Sequence, residues 1–186
     1  MKTFAKTFAK TFAAALVAAA APAPLTAQAD PVTVATRPAP ALASAGPWLN
    51  GPETTLAAQR GKVVVLLFWT RDCINCKHNL GYWNDWAKKY SGADVAVLSV
   101  HAPETRSERA PAATARFARE HGLRFPILVD NDAHVWNAYG VQSWPTEVLI
   151  DRQGRVREEY AGELNWEGSG EYKTVARRIE ALRAEK

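Results

Sequence analysis

The stretch Lys62–Cys76, KVVVLLFWTRDCINC, decides the fold. After Lys62, the seven residues Val63–Trp69 are all apolar and include three β-branched side chains, which is typical of a strand buried on both faces of a sheet. The segment that follows, up to Tyr90, has helical character. The two cysteines therefore stand where a buried strand passes into a helix.

This placement gives the two cysteines a chemical meaning. Cys73 and Cys76 are three positions apart, so on a helix they share one face and can form a small disulfide. Cys73 lies at the predicted helix N-terminus, where free N–H groups and the helix dipole favour a thiolate, and such thiols have pKa values of about 3.5–7.5. We predict that Cys73 is the nucleophile of a thiol–disulfide exchange and that the shielded Cys76 resolves the mixed disulfide.

Strands and helices alternate along the rest of the chain. A turn signal at Asp151–Gly154 joins the last two strands in a hairpin, and an amphipathic helix closes the chain. This order predicts an α/β fold with a mixed sheet flanked by helices. The predicted strands are 62–69, 94–100, 124–129, 147–151 and 156–160, and the later helices are 111–121, 133–139 and 171–184.

The N-terminus has the pattern of an export signal. Residues 1–29 contain three lysines, the apolar stretch Thr11–Ala21 and a terminal Ala-x-Ala, which signal peptidase recognises. The apolar stretch is shorter than the roughly 20 residues that span a bilayer. We predict cleavage after Ala29, a periplasmic or secreted protein and no stable membrane insertion, with an uncleaved anchor as the alternative. The Ala- and Pro-rich residues 30–47 are predicted to be a flexible linker, and 48–186 the folded domain.

Composition excludes several classes of protein. The 186 residues suffice for one domain with a substantial core. Without the first 29 residues the chain has 20 Lys and Arg against 19 Asp and Glu, which removes the support for nucleic-acid binding that the net charge of +4 offers. Two cysteines exclude a multi-disulfide scaffold and a four-thiolate zinc site. We expect neither a metal nor a cofactor.

The residues around the cysteines resemble those of a known family. The motif Phe68-Trp69-Thr70-x-x-Cys73-Ile74-Asn75-Cys76 is similar to the thioredoxin superfamily, in particular to TlpA/ResA-like exported thiol–disulfide oxidoreductases. It also resembles the C-I-N-C thioredoxin-like module of DipZ-type and NHL-repeat proteins. Further motifs follow in the family's order: Trp48-Leu49-Asn50-Gly51, His101-x-Pro103-Glu104, Trp144-Pro145-Thr146 and Ile150-Asp151-x-x-Gly154.

The resemblance implies a thioredoxin-like fold with the strand/helix insertion of TlpA- and peroxiredoxin-like members. It also implies that Pro145 is a cis-proline. The catalytic cysteines would exchange disulfides with protein substrates, and the protein would reduce those disulfides rather than form them. In an oxidising periplasm such a protein requires a membrane thiol reductase of the DsbD/CcdA kind as partner. The substrate groove that the resemblance implies consists of Trp69, Ile74, Asn75, Trp144 and Pro145.

One expected feature of the family is missing. Thioredoxins have a buried acid six residues before the first cysteine, and ResA-like proteins often have a glutamate three residues after the second. Here these positions are Leu67 and Asn79. The candidate substitutes His78, Asp72 and Glu147 are all expected at the surface. We therefore predict that Cys76 lacks a buried proton acceptor and resolves slowly near neutral pH.

Two other functions stay open. Thr70-Arg71-Asp72-Cys73 matches the T-x-x-C motif of a peroxiredoxin-like thiol peroxidase, although Leu66 stands where that family has a proline. A non-enzymatic, copper-handling module resembling Sco proteins would use both cysteines with His101 or His134. The cysteine spacing is one residue short for that family.

Overall fold

The computed structural model describes residues 36–92 and 94–185. The predicted export signal at 1–29 lies outside the described residues. Within them, no helix is both long enough and apolar enough to cross a bilayer.

The described residues form one mixed sheet with helices on its faces. The strands are β1 (Arg37–Pro38), β2 (Trp48–Leu49), β3 (Val63–Trp69), β4 (Val95–His101), β5 (Ile127–Val129), β6 (Thr146–Ile150) and β7 (Arg155–Ala161), and the helices are α1 (Ile74–Lys89), α2 (Pro111–Glu120), α3 (His134–Tyr139) and α4 (Glu171–Ala184). The strand order is β1-β7-β6-β3-β4-β5-β2. Strand β3 is parallel to β4 and antiparallel to β6. The predicted α/β fold with a mixed sheet is confirmed.

The central strand β3 supplies apolar side chains to both faces of the sheet. All seven of its residues are buried. Because side chains alternate along a strand, Val65 and Leu67 join one hydrophobic cluster, which includes residues of α1, α2 and α4. Leu66 and Phe68 join the second cluster, which includes residues of α3. This two-sided burial explains the continuous apolar run in the sequence.

The prediction that residues 30–47 form a loose linker is wrong for residues 37–47. Strand β1 pairs with β7 at one edge of the sheet, and β2 pairs with β5 at the opposite edge. Between them, Ala39 and Leu42 pack against the second hydrophobic cluster, and the Tyr139 hydroxyl donates a hydrogen bond to the Pro40 carbonyl. We call residues 37–49 the strap. The strap crosses the face of the sheet that carries the second hydrophobic cluster, because its small apolar side chains pack there. These side chains follow neither a helical nor a strand period in the sequence.

Candidate functional site

Cys73 and Cys76 form a disulfide at the N-terminus of α1, with their Cα atoms 5.3 Å apart. Cys73 is the N-cap residue, and its Sγ accepts a hydrogen bond of 3.1 Å from the backbone N–H of Cys76. Cys73 is half-buried, whereas Cys76 is only 1% exposed. An incoming thiol or disulfide therefore reaches Cys73 more easily than Cys76. The N–H contact and the helix N-terminus both favour a thiolate on Cys73.

The loop that leads into Cys73 is held by a buried carboxylate, Glu108, which the sequence analysis did not single out. Glu108 lies in a one-turn helix after β4. Burial alone would raise its pKa, but the hydrogen bonds that it accepts lower the pKa below the usual value. This ionised anchor fixes the approach to the cysteines. Its donors are the Thr70 hydroxyl and the backbone N–H groups of Asp72, Glu104 and Thr105.

Pro145 lies at the same end of the sheet as the disulfide. The Trp144–Pro145 peptide bond is cis, and Pro145 immediately precedes β6. Since Thr146 pairs with Phe68, Pro145 stands beside the end of β3 from which the chain continues to Cys73. The Pro145 carbonyl accepts a hydrogen bond of 2.8 Å from the N–H of Gly162, so the loop after β7 adjoins the same region.

The predicted groove residues differ in their exposure. Ile74 is 60% exposed, and Asn75 and Trp144 are half-buried. The Trp144 ring stacks on Trp136 with centroids 4.3 Å apart. Trp69 is wholly buried, and its Nε1 donates to Ser99 Oγ at 3.2 Å. The prediction that Trp69 lines the groove is therefore wrong, because the strand directs its side chain into the core.

Glu147 is not a surface residue, contrary to expectation. It lies on β6 and is fully buried. Its Oε1 accepts hydrogen bonds from Asn79 Nδ2 at 3.1 Å and Trp83 Nε1 at 2.9 Å. Its Oε2 has no hydrogen-bond partner among the described residues. Burial raises the pKa of Glu147 to about 8.

The position of this acid explains the two substitutions noted in the sequence. Glu147 is the cross-strand partner of Leu67, and it is hydrogen-bonded to Asn79. These are the two positions at which relatives were expected to have an acid. Asn79 follows Cys76 by three residues on α1, so their side chains are neighbours on one helix face. The buried carboxyl is therefore present, but a neighbouring strand supplies it.

The sequence contains a signal for Glu147. It is the single charged residue in the strand Thr146–Ile150, which follows directly after Trp144-Pro145 and is otherwise apolar from Val148 on. The other two candidate substitutes are at the surface as expected. The side chains of Asp72 and His78 are each 55% exposed, and His78 pairs with Glu163 at 2.9 Å.

The histidines considered as copper ligands do not converge on the cysteines. His101 is buried against Trp69, and burial lowers its pKa to about 4, so it is neutral near pH 7. His134 is exposed at the start of α3. In the described part of the chain, no three His, Cys, Asp or Glu side chains are grouped so that they could hold a metal ion.

Comparison with known proteins agrees with this arrangement. Residues 36–159 match the model of the AhpC/TSA family. The chain belongs to the AhpC/TSA family. This AhpC/TSA-family chain is also 38% identical to Protein DipZ of Mycobacterium tuberculosis over 128 residues. The matched region is 67% of this chain but only 18% of DipZ.

A second relative is more similar in length. The thiol-disulfide oxidoreductase ResA of Geobacillus thermodenitrificans is 36% identical over 119 residues, 64% of this chain and 66% of ResA. The chain thus spans less than two thirds of both relatives. Among solved structures, a thioredoxin-like protein in its oxidised form superposes with a TM-score of 0.71 at 30% identity, covering 81% of this chain and 97% of that one. The fold is therefore thioredoxin-like.

Proposed function

We propose that this protein is a thiol–disulfide oxidoreductase that exchanges disulfides with protein substrates through Cys73 and Cys76. The observation that carries the proposal is the disulfide itself, which joins a half-buried sulfur at a helix N-terminus to a buried one. The name of the ResA relative supports the same chemistry. We propose that Ile74, Asn75 and Trp144 line the substrate groove beside this disulfide, and that the buried Pro145 shapes it from the turn before β6.

The exchange proceeds in two displacements. The Cys73 thiolate attacks one sulfur of a substrate disulfide, which forms a mixed disulfide and releases the other substrate sulfur as a thiolate. Cys76 then loses its proton and attacks Cys73 Sγ. This forms the Cys73–Cys76 disulfide and releases the second substrate thiolate. Two electrons pass from the cysteine pair to the substrate, and both released thiolates take up protons.

Glu147 is the proton acceptor for Cys76 in this scheme. Asn79 and Trp83 hold one carboxyl oxygen, which leaves Oε2 free for a proton. With its raised pKa, Glu147 is mostly protonated near pH 7 in the disulfide form. It can then return a proton to Cys76 when a reductant opens the disulfide. A residue in this role works in both directions of the exchange.

The N-terminal pattern supports export, so we place the mature protein in the periplasm or outside the cell. We propose the reducing direction, with a membrane thiol reductase of the DsbD/CcdA kind as electron donor. Equilibration of the cysteine pair with glutathione measures its reduction potential. A reductant should lie near about −270 mV, and an oxidant near about −120 mV.

The peroxidase alternative is not favoured by the geometry. Thr70, the threonine of the T-x-x-C motif, is buried and its hydroxyl donates to Glu108. A hydroxyl bound to a buried carboxylate is not directed at Cys73. Cys76 also provides a resolving sulfur only three residues away, which suits exchange between disulfides.

Insulin, as a protein disulfide, provides the test. The reduced protein should reduce insulin, Cys76→Ser should stop at a mixed disulfide that dithiothreitol releases, and Cys73→Ser should do neither. Hydrogen peroxide is the comparison substrate. Rapid peroxide consumption with no reaction on insulin would contradict the proposal, because a peroxidase forms a sulfenic acid on Cys73 instead.

A further inference from the structure

A groove of about 500 Å³ begins at the active site and is distinct from the disulfide itself. It extends from Asn75, in the C-I-N-C motif, to the loop after β7 and the first residue of α4. At the end nearer the disulfide, Gly162 is held by two hydrogen bonds. Its N–H donates to the Pro145 carbonyl, and its carbonyl accepts from Asn79 Nδ2. A segment bound at Cys73 can therefore continue into this groove.

An exposed tryptophan forms one wall of the groove. Trp166 is 60% exposed, and within residues 36–92 and 94–185 the only other exposed large hydrophobic residue is Ile74. The loop that carries Trp166 is held in place: Ser169 N–H donates to the Trp166 carbonyl at 2.8 Å, and Gly170 N–H donates to Asn165 Oδ1 at 3.0 Å. A large apolar ring held in solvent is a feature of interaction sites.

A carboxylate without a cation partner lies in the same groove. Glu171 is half-buried, and burial raises its pKa. Among the described residues it forms no ion pair, whereas the other carboxylate of the groove, Glu163, has its Oε1 2.9 Å from His78 Nδ1. The residues that line the groove include no Lys or Arg. The groove therefore offers a negative charge and an aromatic face to whatever occupies it.

We propose that this groove binds a Lys or Arg side chain of the substrate polypeptide, a few residues from the cysteine that Cys73 attacks. The cationic group would contact the face of Trp166 and form an ion pair with Glu171. A tryptophan face attracts cations, and its attraction adds to that of the carboxylate. The inference rests on the proposed oxidoreductase function and names the class of substrate: disulfides flanked by basic residues.

Peptides that carry one cysteine as a mixed disulfide with thionitrobenzoate provide the test, because attack by Cys73 releases a coloured thiol. One peptide has Lys or Arg a few residues from the cysteine, and its counterpart has Glu at the same position. Each rate constant is divided by that of the same variant with neutral 2-hydroxyethyl disulfide. For the wild type, the basic peptide should react about tenfold faster than the acidic one, because the attraction of the Trp166 face adds to that of Glu171.

Substitutions in the groove should abolish this preference. In Trp166→Ala and in Glu171→Gln, the rate with the basic peptide should exceed that with the acidic peptide by about twofold or less. Trp166→Phe should retain part of the wild-type preference. Glu167→Gln is the matched control, because it removes the same charge next to Trp166 but outside the groove lining.

The outcomes separate the two proposals. Equal rates for the two peptides with the wild type, or the same loss of preference in Glu167→Gln as in Glu171→Gln, would overturn the basic-residue site alone. No reaction with any disulfide, including 2-hydroxyethyl disulfide, would overturn the oxidoreductase function and this site with it.

Discussion

Glu147 on β6 stands directly opposite Leu67 on β3, and both lie on the face of the sheet that α1 covers. The acid that the family resemblance predicts on the central strand is thus carried by the adjacent strand in this protein. Asn79, one turn after Cys76, contacts the same carboxyl group. The protein therefore has a buried acid bonded to the helix turn after Cys76, without having one at either expected position.

Glu147→Gln should slow the second step of the exchange and leave the first unchanged. Reaction of the reduced protein with dithiobis-nitrobenzoate releases one equivalent of chromophore on attack by Cys73 and a second on resolution by Cys76. We expect the second phase to slow by at least about tenfold, because general-base catalysis typically contributes more than that. In the wild type this phase should accelerate as pH rises toward 8 and Glu147 ionises.

Asp72→Asn is the control for this experiment, since it removes an exposed charge next to Cys73. It should change the first phase and not the second. A second phase that is equally fast in Glu147→Gln and in the wild type from pH 6 to 9 would exclude Glu147 as the proton acceptor.

The stability of the protein should fall with rising pH because of the same residue. The pKa of Glu147 is raised from 4.5 to about 8 on folding. Between these values the unfolded chain has lost the proton and the folded protein has kept it, so stability declines as pH increases. The slope is at most about 1.4 kcal/mol per pH unit. Below about pH 4.5 both states are protonated, and this contribution to the stability is then fully present.

Urea denaturation of the wild type and of Glu147→Gln at several pH values measures this effect. The glutamine should be the more stable of the two at pH 8, and the difference should shrink toward pH 5. A difference that does not depend on pH would mean that Glu147 titrates normally.

Cys73 should be the reactive thiol of the reduced protein. Its sulfur is half-buried at the N-cap of α1 and accepts an N–H, whereas Cys76 is buried. Iodoacetamide at about pH 6.5, followed by peptide mass spectrometry, should label Cys73 much faster than Cys76. Cys76→Ser should keep this fast labelling and serves as the control. Preferential labelling of Cys76 would reverse the assigned roles.

Glu108→Ala should destabilise the protein by about 2–4 kcal/mol, because it leaves several donors without an acceptor in a buried site. These donors belong to the loop before Cys73 and to the turn after β4. The exposed neighbour Glu104→Ala is the matched control and should change the free energy of unfolding by less than about 0.5 kcal/mol. Equal effects in urea denaturation would show that Glu108 does not anchor the loop.

The features that the sequence predicted correctly are those with a local pattern. The apolar run Val63–Trp69, the cysteine spacing and the closing helix each follow from neighbouring residues. Glu147 could not be placed in this way, since its burial depends on the pairing of β6 with β3, which are far apart in the chain. The resemblance places Trp69 in the substrate groove, although its strand directs the side chain into the core. The Trp166 groove joins segments around residues 75, 162 and 171, which only the fold brings together.

The strap at residues 37–49 has a consequence for association between molecules. One continuous piece of chain forms both outermost strands of the sheet, β1 beside β7 and β2 beside β5. Each is two residues long, and β1 includes Pro38, which has no N–H to offer a further strand. Cleavage within the strap would loosen both outermost strands together. The uncovered edges, at Arg155–Val156 of β7 and Ile127–Leu128 of β5, would then be open to pairing with a strand from another molecule.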